Sequence, residues 1–197
     1  MGRRKTIDRE GIMLAIEAVV KKHGAAALTI EAVAREAGIS KSSVLYDFST
    51  KTALITAYVE HKLARQLAER QALADQTPER PDVWLHGLLS EIEQPPSQDE
   101  MSCAFLITAS LETDGPCHGL VRALLDEEAA RIRDQAAAPR RATIAWLALQ
   151  GVRSLEYLGL HHFDPSERQE ILNDIRDLIP TPETPGPLAP TPAEDGR

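Results

Sequence analysis

From residue 8 to residue 179 the apolar side chains return every three or four positions, and Gly or Pro interrupts them at short intervals. This spacing constrains the fold more than any other feature. Apolar residues at i, i+3, i+4 and i+7 bury one face of a helix, whereas a half-buried strand needs alternation. Ile12, Ala15, Ile16, Val19 and Val20 form the first such stripe, over residues 8–23. Lys21, Lys22 and His23 lie where cations suit the helix dipole, and Gly24 ends the run. Long β-branched runs are absent and aromatics make up only 4% of the 197 residues, so the expected class is all-α.

The next elements are short. Thr29 reads as the N-cap of a helix over 30–37 that Gly38 closes, and Ser40 caps a helix of about two turns ending at Tyr46. Phe48, Ser49 and Thr50 break the chain before a long helix from Lys51 to about Ala74. Further helices are expected near 81–93, 99–112, 117–137, 141–160 and 165–179. Pro78, Pro81, Pro95–Pro96, Gly115–Pro116 and Pro139 separate them. Asp164, Pro165 and Glu167 give the last helix an N-cap, a first-turn proline and a capping-box acid. Residues 180–197 hold six of the 13 prolines and are expected to be a disordered tail.

Charge divides the chain. Residues 1–54 contain nine Lys/Arg against six Asp/Glu, a net +3. The remainder contains 13 against 24, a net −11, giving −8 for the whole. A basic head on an acidic body points to a polyanionic partner for the head alone. No window approaches the roughly 18 apolar residues of a membrane span. The N-terminus MGRRKTIDRE is basic without an apolar region, so a signal peptide is not expected. Gly2 and Thr6 fit an N-myristoylation pattern that chance often produces, and a basic arm is the simpler reading.

Two short helices joined at Gly38 make a helix-turn-helix unit. Ala34 is small where the two helices approach, and Gly38 takes the turn. Val33, Ile39 and Val44 close a core against the first helix. Ser40, Lys41, Ser43 and Tyr46 then face outward, with side chains suited to the major groove of double-stranded DNA. Lys51 stands in the first turn of the long helix, where a cation opposes the dipole unless a phosphate compensates. Thr29 offers a hydroxyl and free amides to a second phosphate.

TIEAVAREAGISKSSVLYDFSTKTAL, residues 29–54, resembles the signature of TetR-type transcriptional regulators. The Ala–x3–Gly turn, the Leu45–Tyr46–x–Phe48 run and the Phe48–x–x–Lys51–x–x–Leu54 run carry the likeness, which covers about residues 6–55. The resemblance implies a homodimer with a three-helix DNA-binding head and a body of about six helices that often takes a small effector. By match to the motif, Ser40, Lys41, Ser43 and Tyr46 are groove or backbone contacts, and Thr29 and Lys51 phosphate contacts. Asp47 departs from the His frequent in that family, and Ser42 stands where Gly is common; both bear on the operator sequence. The expected division is a head over 6–55, with the helix-turn-helix at about 29–48, a body over 56–179 and the tail over 180–197.

A head of this size reads few base pairs, so two copies on a palindromic operator are expected. ATIAWLALQGVRSLEYLGL is apolar on more than one side, which makes 141–160 with 165–179 the candidate seam, Gly151 and Gly159 permitting close approach. Candidate residues for an unknown small-molecule effector are Tyr58, Trp84, Met101, Phe105 and Trp146, with His86 as a polar handle.

Cys103 and Cys117 lack CxxC spacing and read as inert thiols of a reduced, cytoplasmic protein. His161, His162 and Asp164 could meet at a metal only if the helix breaks there, and solvated histidines are the plainer account. The motifs of phosphate loops, zinc hydrolases and serine hydrolases are absent, so neither an enzyme nor a cofactor is expected. The function expected is a sequence-specific regulator of transcription, a repressor released by its effector. The alternative is an effector-binding or interaction protein with a vestigial head, which Asp47 would favour.

Overall fold

Local signals set the helix boundaries in a computed structural model that describes residues 9–76 and 82–179. The basic arm, the Gly2–Thr6 pattern, the break at Pro78 and Pro81 and the proline-rich tail lie outside the described residues. Helix α1 (Arg9–His23) buries Ile12, Ala15, Ile16, Val19 and Val20, the stripe its spacing predicts, together with Met13. Gly24 leaves it at φ +80°, and a short turn of 3-10 helix over Ala25–Ala27 follows.

Helix α2 (Ile30–Ala37) begins at Thr29, whose Oγ1 accepts a bond from the Ala32 amide at 3.0 Å. Gly38 ends it at φ +66°, where a side chain would be strained. The Ile39 amide then donates to the Ala34 carbonyl at 3.0 Å, closing the last turn from outside. Helix α3 (Lys41–Asp47) begins at Ser40, whose Oγ accepts from the Ser43 amide at 3.1 Å. Val33, Ala34 and Val44 are buried and Ile39 packs on them, so α2 and α3 lock on α1 as the turn requires.

Helix α4 (Lys51–Gln76) follows a Thr50 cap, with the Ala53 amide 3.0 Å from Thr50 Oγ1. It is followed by α5 (Val83–Glu91), α6 (Gln98–Ala109), α7 (Pro116–Gln135), α8 (Pro139–Tyr157) and α9 (Pro165–Leu178). The described residues contain nine α-helices and no strand. Proline stands at the first turn of α7, α8 and α9, where its missing N–H costs no helical bond.

Two details differ from the sequence reading. Asp164 caps α9 by accepting from the Ser166 amide and hydroxyl, 2.9 and 2.6 Å away, and the capping box forms instead at Ser97–Glu100. Gly159 lies beyond α8, which ends at Tyr157 rather than at 160, in a left-handed turn at φ +63°.

The apolar interior falls into two clusters. One joins α1–α3 to the first half of α4 and continues through Tyr58, Val59, Leu106 and Cys117, so α6 and α7 help bury the head. The other joins α5, α8 and α9 through Leu85, Leu88, Ala145, Leu149, Leu172 and Ile175. Arg70 of α4 packs on the second cluster, its guanidinium 5.3 Å from the Trp84 ring centre. Its guanidinium is paired with Glu91 and with Glu128, and both Arg70 and Glu128 are almost wholly buried. Arg168 staples α9 to the end of α5, donating to the Ile92 and Glu93 carbonyls and to Glu156. No described helix is long and apolar enough to cross a membrane.

Candidate functional site

The outer surface of α3 carries side chains that the fold does not use for packing. Tyr46 is 90% exposed. Lys41 and Asp47 are also exposed, while Ser43 is half-buried. The three serines bond to one another, with Ser40 Oγ 2.8 Å from both Ser42 Oγ and Ser43 Oγ. Thr29 and Lys51 sit at the starts of α2 and α4, on either side of α3 in the chain. Thr29 Oγ1 is occupied as a cap, and Lys51 forms no ion pair with a described residue.

Lys41 has a partner that the sequence reading does not supply. Its ammonium meets the Glu31 carboxylate of α2, and this bond holds the exposed Glu31 carboxyl below its usual range. The residues are ten apart in sequence, so no helical spacing rule flags them; the turn at Gly38 brings them together. Lys22 and Glu36, 2.6 Å apart, join α1 to α2 in the same way.

A cavity of roughly 340 Å³ lies between the head and the body. Glu17 and Lys21 of α1 form one wall, and Lys62, Leu63 and Gln66 of α4 another. Cys103, Ala104 and Ile107 of α6, Leu124, Leu125 and Glu128 of α7, and Gln150, Arg153, Ser154 and Tyr157 of α8 complete it. Its charges are mostly engaged. Glu17 receives Lys62 at 3.2 Å and the Tyr58 hydroxyl at 3.4 Å. Burial, with Cys103 and Glu17 adding to it, pushes the Tyr58 phenol far up. Glu128 receives Arg70, Trp146 Nε1 at 2.9 Å and Gln150 at 3.2 Å.

None of the five effector candidates lines this cavity. Tyr58 is buried behind it and reaches it through Glu17, and Trp146 reaches it through Glu128. Trp84 is buried in the body cluster with the guanidinium of Arg131 4.3 Å from its ring centre. Phe105 is 59% exposed on α6, and Met101 borders a separate small cavity with Phe163 and Arg168. His86 is buried on α5. The structure therefore scatters the candidate aromatics and lines the cavity with aliphatic and polar side chains and Tyr157. A leucine facing a cavity and one facing a core carry the same signal in a sequence.

Helix α8 has a second, unpartnered face. Ile144, Leu147 and Leu155 are exposed large apolar residues, and a Cβ added at Gly151 would meet nothing within 4 Å. They fall at i, i+3, i+7 and i+11, one stripe opposite the buried Ala142, Ala145, Leu149 and Val152. The outward side of α9 carries Glu167, Glu170, Asn173, Asp174 and Asp177. Cys103 and Cys117 are buried free thiols. His161 packs edge-on against Phe163, and no cluster suited to a metal ion occurs among the described residues.

Residues 12–58 match the family described as bacterial regulatory proteins, tetR family, and residues 89–180 match the tetracyclin repressor-like C-terminal domain. The multidrug binding protein EbrR, in a crystal structure with imidazole, is 22% identical with a TM-score of 0.60. That alignment covers 93% of this chain and 99% of EbrR. A TetR transcription regulator from Haloarcula marismortui aligns over 86% of this chain and 95% of its own, at 21% identity and a TM-score of 0.67. A TetR family member from Streptomyces coelicolor aligns over 88% and 98%, at 24% identity and a TM-score of 0.58. No curated protein matches the sequence.

Proposed function

The chain belongs to the tetR family of bacterial regulatory proteins, and from that premise we propose that it is a homodimeric repressor released from DNA by a small molecule. In this reading Ser40, Lys41, Ser43 and Tyr46 contact the major groove or the adjoining backbone of a palindromic operator. Thr29 and Lys51 hold phosphates on either side. Residues 6–55 act as the head and 56–179 as the effector and dimerisation body. The protein works in the cytoplasm, where its DNA is.

The observation that carries the release step is the makeup of the cavity wall. Glu17 and Lys21 belong to the head helix α1, while Glu128 and Arg153 belong to the body. An occupant touches both at once. Helix α4 strengthens the link, because it starts at Lys51 and passes the cavity at Lys62 and Leu63. Eleven residues of helix span about 17 Å, so a tilt at the cavity moves the phosphate contact. Differential binding of the occupant to one head spacing is all that release requires.

The α8 stripe of Ile144, Leu147, Gly151 and Leu155 supports the second copy. An exposed apolar stripe on a long helix is a surface that association would cover. The polar outward side of α9 suits the rim of such a seam better than its centre. The test is a mobility shift with the DNA upstream of the chain's own coding sequence, at two salt concentrations. A sequence-specific reader loses affinity steeply with salt and keeps its preference over unrelated duplex. Equal affinity for all duplexes would leave the effector-binding function without the DNA function.

A further inference from the structure

The acids along the cavity each already face at least one donor or cation of the protein's own. Glu128 has both oxygens bonded, Glu17 holds Lys62 and Tyr58, and Glu100 accepts from the Ser97 amide at 2.8 Å and its hydroxyl at 2.6 Å. Asp99 has Lys21 at 3.5 Å. A cationic ligand would meet acids already engaged, on both oxygens at Glu128 and in part at Glu17, Glu100 and Asp99. Arg153 is in the opposite condition. Its nearest carboxylate among the described residues is Glu91, at 3.9 Å, and Glu91 is already held on both oxygens by Arg70. Arg153 lines the cavity and makes no hydrogen bond with a described residue, so its five N–H donors are open to a ligand that reaches them.

Arg153 also has suitable company. Ser154 adjoins it in the chain, and Tyr157, one helical turn on, has its ring centre 5.9 Å from the guanidinium. Leu63, Ile107, Leu111, Val121, Leu124 and Leu125 supply an aliphatic wall. Roughly 340 Å³ is within the range of small-molecule sites. We propose that the effector is an amphipathic carboxylate, its apolar body against the α6–α7 wall and its anionic end on Arg153. A planar carboxylate matches the guanidinium fork with two parallel bonds, which neither an alcohol nor an amine can do. The proposal rests on the effector reading above and names the class of molecule that reading leaves open.

The test is calorimetric titration of the full-length protein with two sets of ligands. Phenylbutyrate, phenylbutanol and phenylbutylamine share one apolar body; octanoate, octanol and octylamine share another. The acid of at least one set binds about tenfold or more tightly than its amine. Arg153→Gln abolishes that preference, and Arg153→Lys, which keeps the charge but loses the fork, retains part of it. An amine that equals or exceeds its acid in both sets would overturn the proposal. So would a preference that persists in Arg153→Gln, or no binding of either acid at millimolar concentration. Operator binding by the ligand-free protein is measured separately, so failure of the effector class and failure of the regulator reading give different results.

Discussion

Glu31 and Lys41 form an ion pair across the turn of the helix-turn-helix, so the cation best placed to meet DNA is held by an acid of its own head. Both groups are more than half exposed, and the pair contributes little to stability. Its effect is on binding. Lys41 must share itself between Glu31 and a phosphate. Glu31→Gln frees it, and operator affinity is expected to rise about three- to tenfold at low salt. The slope of log affinity against log salt should steepen by about one, as for one added phosphate contact. Fluorescence anisotropy across a salt series measures both. An unchanged slope would place Lys41 away from the phosphates.

Tyr46 separates recognition from folding. It is 90% exposed and packs against nothing that holds the head together. Tyr46→Ala should leave the unfolding free energy in urea within about 0.5 kcal/mol of the parent. Operator affinity should fall about tenfold or more, with binding to unrelated duplex nearly unchanged. Lys51→Ala should instead weaken binding to all duplexes alike and reduce the salt slope by about one.

The α8 stripe predicts the oligomer. Leu147 is 57% exposed, so an acid there should not disturb one subunit's core. Leu147→Asp is expected to yield a folded monomer in light scattering with weakened operator binding. A parent that is itself a monomer, or a variant that remains a dimer, places the seam elsewhere.

Arg70 is buried between Glu91 and Glu128. Arg70→Met leaves Glu128 charged and buried without its cation, and should cost about 3–5 kcal/mol in urea unfolding. Adding Glu128→Leu should recover a large part of that loss, because the charge that needed a partner is gone.

Tyr58 predicts an alkaline limit. Burial holds its hydroxyl protonated in the folded protein well above its ordinary range. The unfolded chain ionises near pH 10 and binds fewer protons above it, so stability falls as pH rises past about 10. Below that value both states hold the proton and the effect vanishes. Tyr58→Phe, which keeps the ring in place, should lessen the drop in unfolding midpoint between about pH 9 and pH 11.

Most of the head is legible in the sequence because its signals are local. The stripe of α1, the Thr29 and Ser40 caps and the left-handed Gly38 each lie within a few residues of what they control. The helices of the body are legible for the same reason, to within a few residues at their ends. The Ser97–Glu100 capping box is also local, and the sequence reading passes over it in favour of Glu167. What is not legible depends on packing. The Glu31–Lys41 pair exists only once α2 and α3 have docked. The cavity exists because five helices fail to close around Leu63, Ile107 and Leu125, and those residues look like core. Aromatic content points to Trp84 and Phe105, of which one is buried in the body cluster and the other lies outside on α6.

The most direct test of the account is a selection from random duplex DNA by the purified full-length protein at about physiological salt, with the enriched pool sequenced. The account predicts one enriched two-fold symmetric site, half-sites about one helical turn or a multiple apart, and no enrichment by Tyr46→Ala. A pool that stays random with the parent protein, or the same site enriched by parent and variant alike, would contradict it.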